Sequence, residues 1–237
     1  VNISWNTLEG DIFYVKNKIN YIESAKIENT STTIKDFFQN NSVETKVMNS
    51  YYGSDVNTPI NLKNEKTIFS DESTIETAYQ YAYEKGNQKL IDANMVGIPL
   101  DTEVKKDGKT ISKAETKYDN PVNLLPSSVL SYNMQSNTPS TEVTYDIYDG
   151  KRNLIQYTTK AGVSTSIIWG YNQTQPIAKI EGAKLSDITQ TLINSIVNAS
   201  DDTNANYSES TLLNQLDAFR IALPNFQIST YTYKPLI

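Results

Sequence analysis

Aromatic–acidic residue pairs recur along this sequence, and an asparagine and a leucine follow each pair within a few residues. The copies begin at Tyr83, Tyr118 and Tyr148, so they are spaced 35 and 30 residues apart. Such spacing is typical of stacked supersecondary units, because one hairpin cannot bury its own apolar face and needs a neighbour on each side. The repeat therefore predicts a stack of similar β-hairpins with the role of a scaffold.

Period-two alternation of apolar residues predicts that the hairpins consist of strands with two distinct faces. The sets predicted to share a strand face are Tyr79, Tyr81 and Tyr83; Val143, Tyr145 and Ile147; Ile167, Trp169 and Tyr171; and Tyr231 with Tyr233. Glycine, asparagine, aspartate and proline between these segments supply the backbone dihedrals of tight turns. The clearest two-residue hairpin is Lys106-Asp-Gly-Lys109. Strands are also predicted over residues 11–15, 16–27 and 32–38.

Composition supports a β class and disfavours several functions. The 16 tyrosines outnumber the 6 phenylalanines and 2 tryptophans, as is typical of wide sheets. A formal net charge of −6 disfavours a nucleic-acid partner, which needs a basic surface. Because the chain has no histidine and no cysteine, it cannot build a histidine-dependent nucleophile system or a thiolate or imidazole zinc site. We expect no cofactor, no metal and no membrane-spanning helix.

The hydrophobic period changes to that of a helix over residues 182–224. Two stripes advance by three or four residues: Leu185, Ile188, Leu192 and Ile196, then Leu212, Leu216, Phe219 and Leu223. Ser186 and Ser208 are the predicted helix N-caps, and the polar connector over residues 198–206 is predicted to be a mobile loop. We expect the helices to pack on each other and on the sheet; an uncovered apolar face that binds a partner is the alternative.

The segment around the third repeat resembles a known family. The residues that carry the likeness are Tyr118-Asp119, Tyr145-Asp146, Tyr148-Asp149, Asn153-Leu154, Trp169 and Tyr171. They resemble the motif of the YD-repeat (Rhs-type) proteins of Gram-negative bacteria, most strongly over residues 79–180. Where relatives carry a glycine before Asn-Leu, this chain has Arg152, which makes the turn costlier if φ must be positive.

The resemblance implies a secreted or cell-surface protein in which antiparallel β-hairpins form an extended or spiralling sheet, in many relatives a hollow shell around a toxic carboxy-terminal segment. It implies structural repeats without catalysis, whose main partner is the rest of the same polypeptide. Relatives from gliding bacteria add export machinery as a candidate partner. The expected organisation is an N-terminal β region (1–70), YD-type hairpins (71–181), a helical hairpin insertion (182–224) and a strand starting the next repeat (225–237). We expect the chain to be part of a longer protein.

Two other functions stay open from the sequence. Tyr79, Tyr81, Tyr83 and Trp169 are candidates for stacking against surface glycans in an adhesin module, since sugar rings carry C–H groups that settle on aromatic faces. Asp146 and Asp149 are the candidate carboxylate pair of a glycoside hydrolase. The same period-two rows are what a sheet needs to bury itself, so packing is favoured over stacking. Asp146 and Asp149 are three residues apart, which places them on opposite faces of a strand, so a role in the turn or in solvation of the edge is favoured over hydrolysis.

A calcium loop is the last alternative. Asp202, Asn204 and Asn206 resemble the start of such a loop, in which alternating oxygen ligands precede a glycine and a final glutamate. Tyr207 and Leu213 occupy those two positions here. The segment is therefore interpreted as a polar linker.

Overall fold

The computed structural model describes residues 2–8, 12–18, 30–39, 41–53, 59–202 and 209–233. The chain divides into two compact units, Val1–Thr30 and Ser31–Ile237. In the first unit, β1 (Asn2–Leu8) and β2 (Ile12–Lys18) form an antiparallel hairpin in which Leu8 lies opposite Ile12. The strand predicted over residues 11–15 is confirmed by β2, whereas residues 19–27 lie outside the described part of the chain.

The second unit is built on one twelve-stranded antiparallel sheet in which each strand pairs with its neighbours in sequence. Its strands are β3 (Ser31–Phe38), β4 (Asn41–Tyr51), β5 (Leu62–Ile68), β6 (Thr74–Gln80), β7 (Asp101–Lys106), β8 (Lys109–Lys117), β9 (Ser128–Tyr132), β10 (Pro139–Tyr148), β11 (Leu154–Thr159), β12 (Ser164–Gly170), β13 (Gln175–Glu181) and β14 (Gln227–Thr230). This meander confirms the predicted class, mainly β with repeated antiparallel hairpins. The boundary predicted at residue 70 falls between β5 and β6, which pair within the same sheet.

The predicted hairpin at Lys106–Lys109 is confirmed. Lys106 pairs with Lys109, and the loop residues Asp107 and Gly108 have φ values of +49° and +77°. Positive φ at both positions is the geometry of a type I′ turn, whose twist matches that of the flanking strands. The Asp107 carboxylate also accepts a hydrogen bond from the Thr74 N–H at 2.7 Å, which ties the turn to β6.

The face predicted for Tyr79, Tyr81 and Tyr83 is wrong beyond Tyr79, because β6 ends at Gln80. The Tyr81 N–H donates to the Glu84 carboxylate at 3.0 Å instead of to a neighbouring strand. A carboxylate close ahead in sequence thus competes with the ladder and draws the chain into a turn. Tyr81 is 5% exposed and Tyr83 is 42% exposed, so the two rings lie in different environments.

Two further strand faces stop earlier than predicted. β12 ends at Gly170, and Tyr171 starts a turn with a φ of +51°, outside the range of strand residues. β14 ends at Thr230, so Tyr231 and Tyr233 follow the strand instead of belonging to it. In this chain, period-two aromatic residues therefore continue past the end of the strand into the following turn, and they do not predict where the strand ends.

Three α-helices are described: α1 (Gln88–Asp92), α2 (Gln190–Asp201) and α3 (Glu209–Ala222). The stripe predicted on the second helix of the insertion is confirmed in α3 and the residue after it, since Leu212, Leu216, Phe219 and Leu223 are all buried. No helix in the described ranges has the length and apolar character needed to cross a lipid bilayer.

The first helix of the insertion begins later than predicted. Thr189 is the N-cap of α2, and Ser186 lies in a preceding 3-10 turn, Leu185–Asp187. The Asp187 carboxylate accepts a hydrogen bond from the Lys184 N–H at 2.9 Å and closes that turn. Residues 198–201 belong to the last turn of α2, so the predicted connector is shorter. Asp202 follows as the C-cap of α2. Residues 203–206 and the predicted cap Ser208 fall outside the described ranges.

The helical hairpin is an insertion between two paired strands, β13 and β14, as predicted. α2 packs on α3 and on β12 and β13, around a buried core that includes Ile168, Ile177 and Ile196. Gly170 permits this approach, because a Cβ there would lie 2.8 Å from the Ile177 side chain and would also meet Ser200. The Ser200 hydroxyl in turn accepts a hydrogen bond from the backbone N–H that follows β12, at 3.2 Å.

Candidate functional site on the charged face of the sheet

Asp149 and Asn153, in the third motif copy, close the turn between β10 and β11. One Asp149 carboxylate oxygen accepts hydrogen bonds from the N–H groups of Lys151 (2.9 Å) and Asn153 (2.8 Å). The other accepts one from Asn153 Nδ2 at 3.0 Å. Arg152 has a φ of +71° within this turn. A residue with a Cβ costs about 1–2 kcal/mol in that conformation, so the aspartate contacts offset strain.

Tyr148, Leu154 and Trp169 join separate segments of the sheet. The Tyr148 hydroxyl donates to the Pro126 carbonyl at 2.8 Å, and burial raises the pKa of Tyr148 to about 12. The Trp169 Nε1–H donates from β12 to the Leu154 carbonyl of β11 at 2.9 Å. The polar atoms of both aromatic side chains are therefore used by the main chain of a neighbouring segment.

Tyr145 and Asp146 lie at an irregularity in β10. Tyr145 is opposite Tyr157 of β11, and the register shifts between Tyr145 and Ile147, so the face predicted over residues 143–147 is interrupted there. Asp146 accepts a hydrogen bond from Thr158 Oγ1 at 2.6 Å. The carboxylate contacts the neighbouring strand at the point where the ladder is disturbed.

The remaining motif residues also make contacts within the fold. Tyr118 packs on the small core beside α1, and Asp119 accepts a hydrogen bond from the Ser127 hydroxyl. Tyr171 meets the ring of Tyr233 edge-on, with centroids 5.6 Å apart. These contacts join turns to segments that are distant in sequence.

The two carboxylates considered as a hydrolase pair act in separate contacts. Asp146 accepts a hydrogen bond from the Thr158 hydroxyl of β11, whereas Asp149 accepts one from the Asn153 N–H within the next turn. Within the described ranges, no group of three or more acidic side chains is placed to hold a metal ion. Asn204 and Asn206 of the calcium-like segment lie outside those ranges.

The residues predicted to stack against sugars do not form one row. Tyr79 lies on β6 and Trp169 on β12, roughly 30 Å apart at about 4.8 Å per strand. Tyr81 is buried, and its hydroxyl donates to the Leu62 carbonyl at 2.8 Å. Tyr83 is exposed in the turn after β6. One glycan unit cannot contact all four residues.

Sequence reasoning missed a group of charged residues on β7 and β8. Asp101 lies opposite Glu115, and Glu103 lies opposite Lys113. Cross-strand partners and residues two apart project from the same side, so these four and Lys117 define one face of the sheet, the charged face. Asp101 and Glu115 are 5% and 4% exposed, an unusual burial for carboxylates.

Three donors surround the Glu115 carboxylate. The Lys85 and Lys117 ammonium groups lie 2.8 and 2.9 Å away, and the Tyr132 hydroxyl donates at 2.6 Å. Burial acts to raise the pKa of Glu115, but the hydrogen bonds from these three groups outweigh it and lower the pKa to about 2. The same contact raises the pKa of Tyr132 to about 12, because the ionised carboxylate holds the phenol proton.

Asp101 is held less tightly than Glu115. Its Oδ2 lies 3.5 Å from Lys85 Nζ and 3.6 Å from Lys113 Nζ, at the outer limit of a hydrogen bond. Lys113 also lies over the Tyr132 ring, 4.8 Å from its centroid. Lys85 therefore links the two buried carboxylates, and Asp101 keeps capacity to accept further hydrogen bonds.

This arrangement favours binding and strand alignment over proton transfer. A general acid at neutral pH needs a carboxyl group whose pKa is raised towards the working pH. The pKa of Glu115 is displaced in the opposite direction. The ionised carboxylates instead fix β7, β8 and β9 relative to one another and present acceptors to polar groups.

Two clefts border these charged residues. One, of about 450 Å³, is lined by residues that include Lys85, Lys89 and Glu115. There the Lys89 ammonium group already donates to the carbonyls of Asn120 and Asn123, at 2.5 and 2.9 Å. The other, of about 220 Å³, spans β5 to β8 and includes Asp101. The Lys89 ammonium group in the larger cleft is thus already hydrogen-bonded within the protein.

Charged residues at every second position of β7 (Asp101, Glu103, Lys105) and of β8 (Lys113, Glu115, Lys117) are the sequence signal for the charged face. A regular two-residue hairpin, however, would place Asp101 opposite Ala114. A register shift between Val104 and Lys105 moves the pairing by one residue and brings Glu115 opposite Asp101. The pairing of the two carboxylates therefore depends on a bulge.

No protein-family model matches this chain, and a search of curated proteins also finds no match. The resemblance to YD-repeat proteins consequently stays a hypothesis that the motif residues alone carry. Any function proposed for the chain has to rest on the contacts of those residues and of the charged face.

Proposed function

We propose that this chain is a structural β-sheet segment of a larger secreted or cell-surface protein of the YD-repeat (Rhs) type, from a Gram-negative bacterium. In this proposal the sheet is part of a wall that encloses or presents an effector segment, and the repeats have no catalytic role. The supporting observation is that Tyr148, Asp149 and Trp169 direct their polar atoms to the main chain of the sheet. Side chains used in this way stabilise a scaffold.

The edges of the sheet support a place within a larger protein. Among the described strands of the second unit, β3 and β14 each pair on one side. Phe37 and Phe38, near the end of β3, are 76% and 62% exposed. An unpaired edge with exposed aromatic side chains promotes aggregation unless it is covered. We expect further β-structure of the same polypeptide to cover it in the intact protein.

Tyr148→Phe tests the structural role of the motif. The change removes the hydroxyl donor to Pro126 but keeps the ring, and we expect it to lower the free energy of unfolding by about 1 kcal/mol in urea denaturation. Tyr231→Phe is the matched control, because this tyrosine lies outside the three motif copies and is 41% exposed, so its loss of the hydroxyl should change stability by less than about 0.5 kcal/mol. Equal effects of the two substitutions would contradict a structural role for the motif tyrosine.

The proposed location has its own test. An antibody against the chain should label intact cells of the source bacterium or detect the protein in the culture medium, and external protease should remove the cell-bound signal. A cytoplasmic protein followed in parallel reports cell lysis. Labelling that requires permeabilised cells would refute a secreted or surface location.

A further inference from the structure

The smaller cleft on the charged face contains polar side chains that neither the motif nor the proposed wall requires. It has a volume of about 220 Å³ and spans β5 to β8. Its lining includes Tyr52, Asn64, Glu76, Gln80, Asp101 and Glu103. Pockets for drug-sized ligands measure about 300–1,000 Å³, so this one is sized for a single small ring.

The strand register explains why a depression forms here. Asn64 of β5 lies opposite Ala78 of β6, Ala78 lies opposite Glu103 of β7, and Glu103 lies opposite Lys113 of β8. These four residues form one row across the charged face. The methyl group of Ala78 is the smallest side chain of the row, so it forms a floor between longer polar neighbours.

Asp101 and Gln80 have capacity to bind a ligand at this depression. They lie opposite each other, one row along from Ala78. Asp101 is only 5% exposed, yet its lysine contacts measure 3.5 and 3.6 Å, so its carboxylate can accept shorter hydrogen bonds. The Gln80 side chain is exposed and supplies both a donor and an acceptor.

The balance of charges indicates the class of ligand. Three carboxylates (Glu76, Asp101 and Glu103) and two ammonium groups (Lys63 and Lys113) line the cleft. Lys85 and Lys105, outside the lining, pair with Asp101 and Glu103. A hydroxyl group donates to a carboxylate and accepts from an ammonium group at the same time, so neighbouring hydroxyls satisfy both kinds of partner. An anion would meet the three lining carboxylates at short range, and an apolar ligand would leave the remaining acceptor positions of the buried Asp101 unpaired.

We propose that this cleft binds one pyranose ring of a neutral glycan. The sugar hydroxyls bond to Asp101, Gln80 and Glu103, and the C–H face of the ring rests on Tyr52, which lines the cleft. Lys63 Nζ lies over the same ring, 5.5 Å from its centroid, within reach of a sugar hydroxyl. The site is separate from the rows first considered for sugar stacking. It does not depend on the wall proposal, since a sugar site can stand on a scaffold of any origin.

Nuclear magnetic resonance of the ¹⁵N-labelled chain tests the site. Glucose, galactose, mannose and N-acetylglucosamine are titrated one at a time, and the side-chain amide signals of Asn64 and Gln80 report binding. We expect at least one sugar to produce saturable shifts there. Gln80→Ala should weaken that sugar's binding about tenfold, the loss of roughly one hydrogen bond. Gln88→Ala, an exposed glutamine beside the other cleft, is the matched control and should bind normally.

Three results would overturn the proposal. One is the absence of saturable shifts in the Asn64 signals with every sugar. Another is equal binding by Gln80→Ala and Gln88→Ala, which would place the sugar elsewhere. The third is binding of spermidine but of no sugar, which would make the cleft a cation site. The dispersion of the amide chemical shifts shows whether each variant is folded. If Gln80→Ala does not fold, Glu103→Gln is used in its place.

Discussion

Glu115→Gln should destabilise the protein strongly at neutral pH while leaving the shape of the side chain almost unchanged. Glu115 is 4% exposed. Its carboxylate lies 2.8 Å from the Lys85 ammonium group and 2.9 Å from that of Lys117, and it accepts a hydrogen bond from the Tyr132 hydroxyl at 2.6 Å. A glutamine removes the negative charge and turns one acceptor end into a donor that faces other donors. Lys85 would then depend on the more distant carboxylate of Asp101, 3.5 Å away.

The magnitude can be worked out from the displaced pKa of Glu115. A pKa lowered from 4.5 to about 2 corresponds to about 3 kcal/mol in favour of the ionised form in the folded protein. Removal of one partner from a buried ion pair costs about 3–5 kcal/mol in general, which agrees. In a chain of this size a loss of about 3 kcal/mol lowers the melting temperature by about 6–12 °C.

The pH dependence distinguishes this charge effect from loss of packing. The pKa of Glu115 is lower in the folded state, so its contribution is complete above about pH 4.5 and is lost as the pH falls towards 2. Wild type and Glu115→Gln should therefore differ most at neutral pH and converge in acid, as followed by urea denaturation and by circular dichroism on heating. A gap of the same size at neutral and acidic pH would refute the reasoning.

An exposed ion pair provides the control for this comparison. Glu44 lies 3.0 Å from Lys35, but both side chains are about half exposed, at 51% and 53%. Solvent screening makes such a pair worth little, so Glu44→Gln should change the free energy of unfolding by less than about 0.5 kcal/mol. Equal losses in Glu44→Gln and Glu115→Gln would mean that burial of the charge does not set the effect.

Two further predictions concern backbone geometry. Arg152→Gly should raise the free energy of unfolding in urea by up to about 1 kcal/mol, because the φ of +71° is strained for a residue with a Cβ. A lower free energy of unfolding would mean that the arginine side chain stabilises the turn. Gly170→Ala should cost about 1–3 kcal/mol because its methyl group would push α2 from the sheet. Gly150→Ala, with open space around its Cβ position, should be neutral in the same assay, and equal losses would contradict the packing argument.

The fold class was predictable because each local signal in the sheet points the same way. The Asp-Gly turn at Asp107 sets one hairpin, and its positive φ values need only short-range information. The stripe of Leu212, Leu216 and Phe219 predicted α3 because one face of that helix carries the contacts with the core. Strand ends were less predictable, since Glu84 ends β6 through a side-chain contact that alternation does not reveal.

The pairing on the charged face could not be predicted from alternation. β8 holds one more residue than β7 between the turn and the carboxylates, and this bulge lies beside the half-exposed Ile111. A slip of one residue transfers every side chain to the other face. Without the bulge Asp101 and Glu115 would lie on opposite sides of the sheet, and Lys113 would leave both its contact with Asp101 and the lining of the cleft. A site that depends on one extra residue needs the three-dimensional register.

The support of the sheet changes along its length, and this explains why its charged residues lie where they do. At β12 and β13 the helical hairpin supplies a second layer with a buried core around Ile177 and Phe219. At β7 to β9 no such helical layer is described, and polar side-chain contacts join the strands instead. Lys113 of β8 contacts Asp101 of β7, and Tyr132 of β9 donates to Glu115 of β8. Ion pairs tolerate partial hydration better than an uncovered apolar face does. These strands can therefore carry a polar face without a second layer of helices, as the proposed sugar cleft requires.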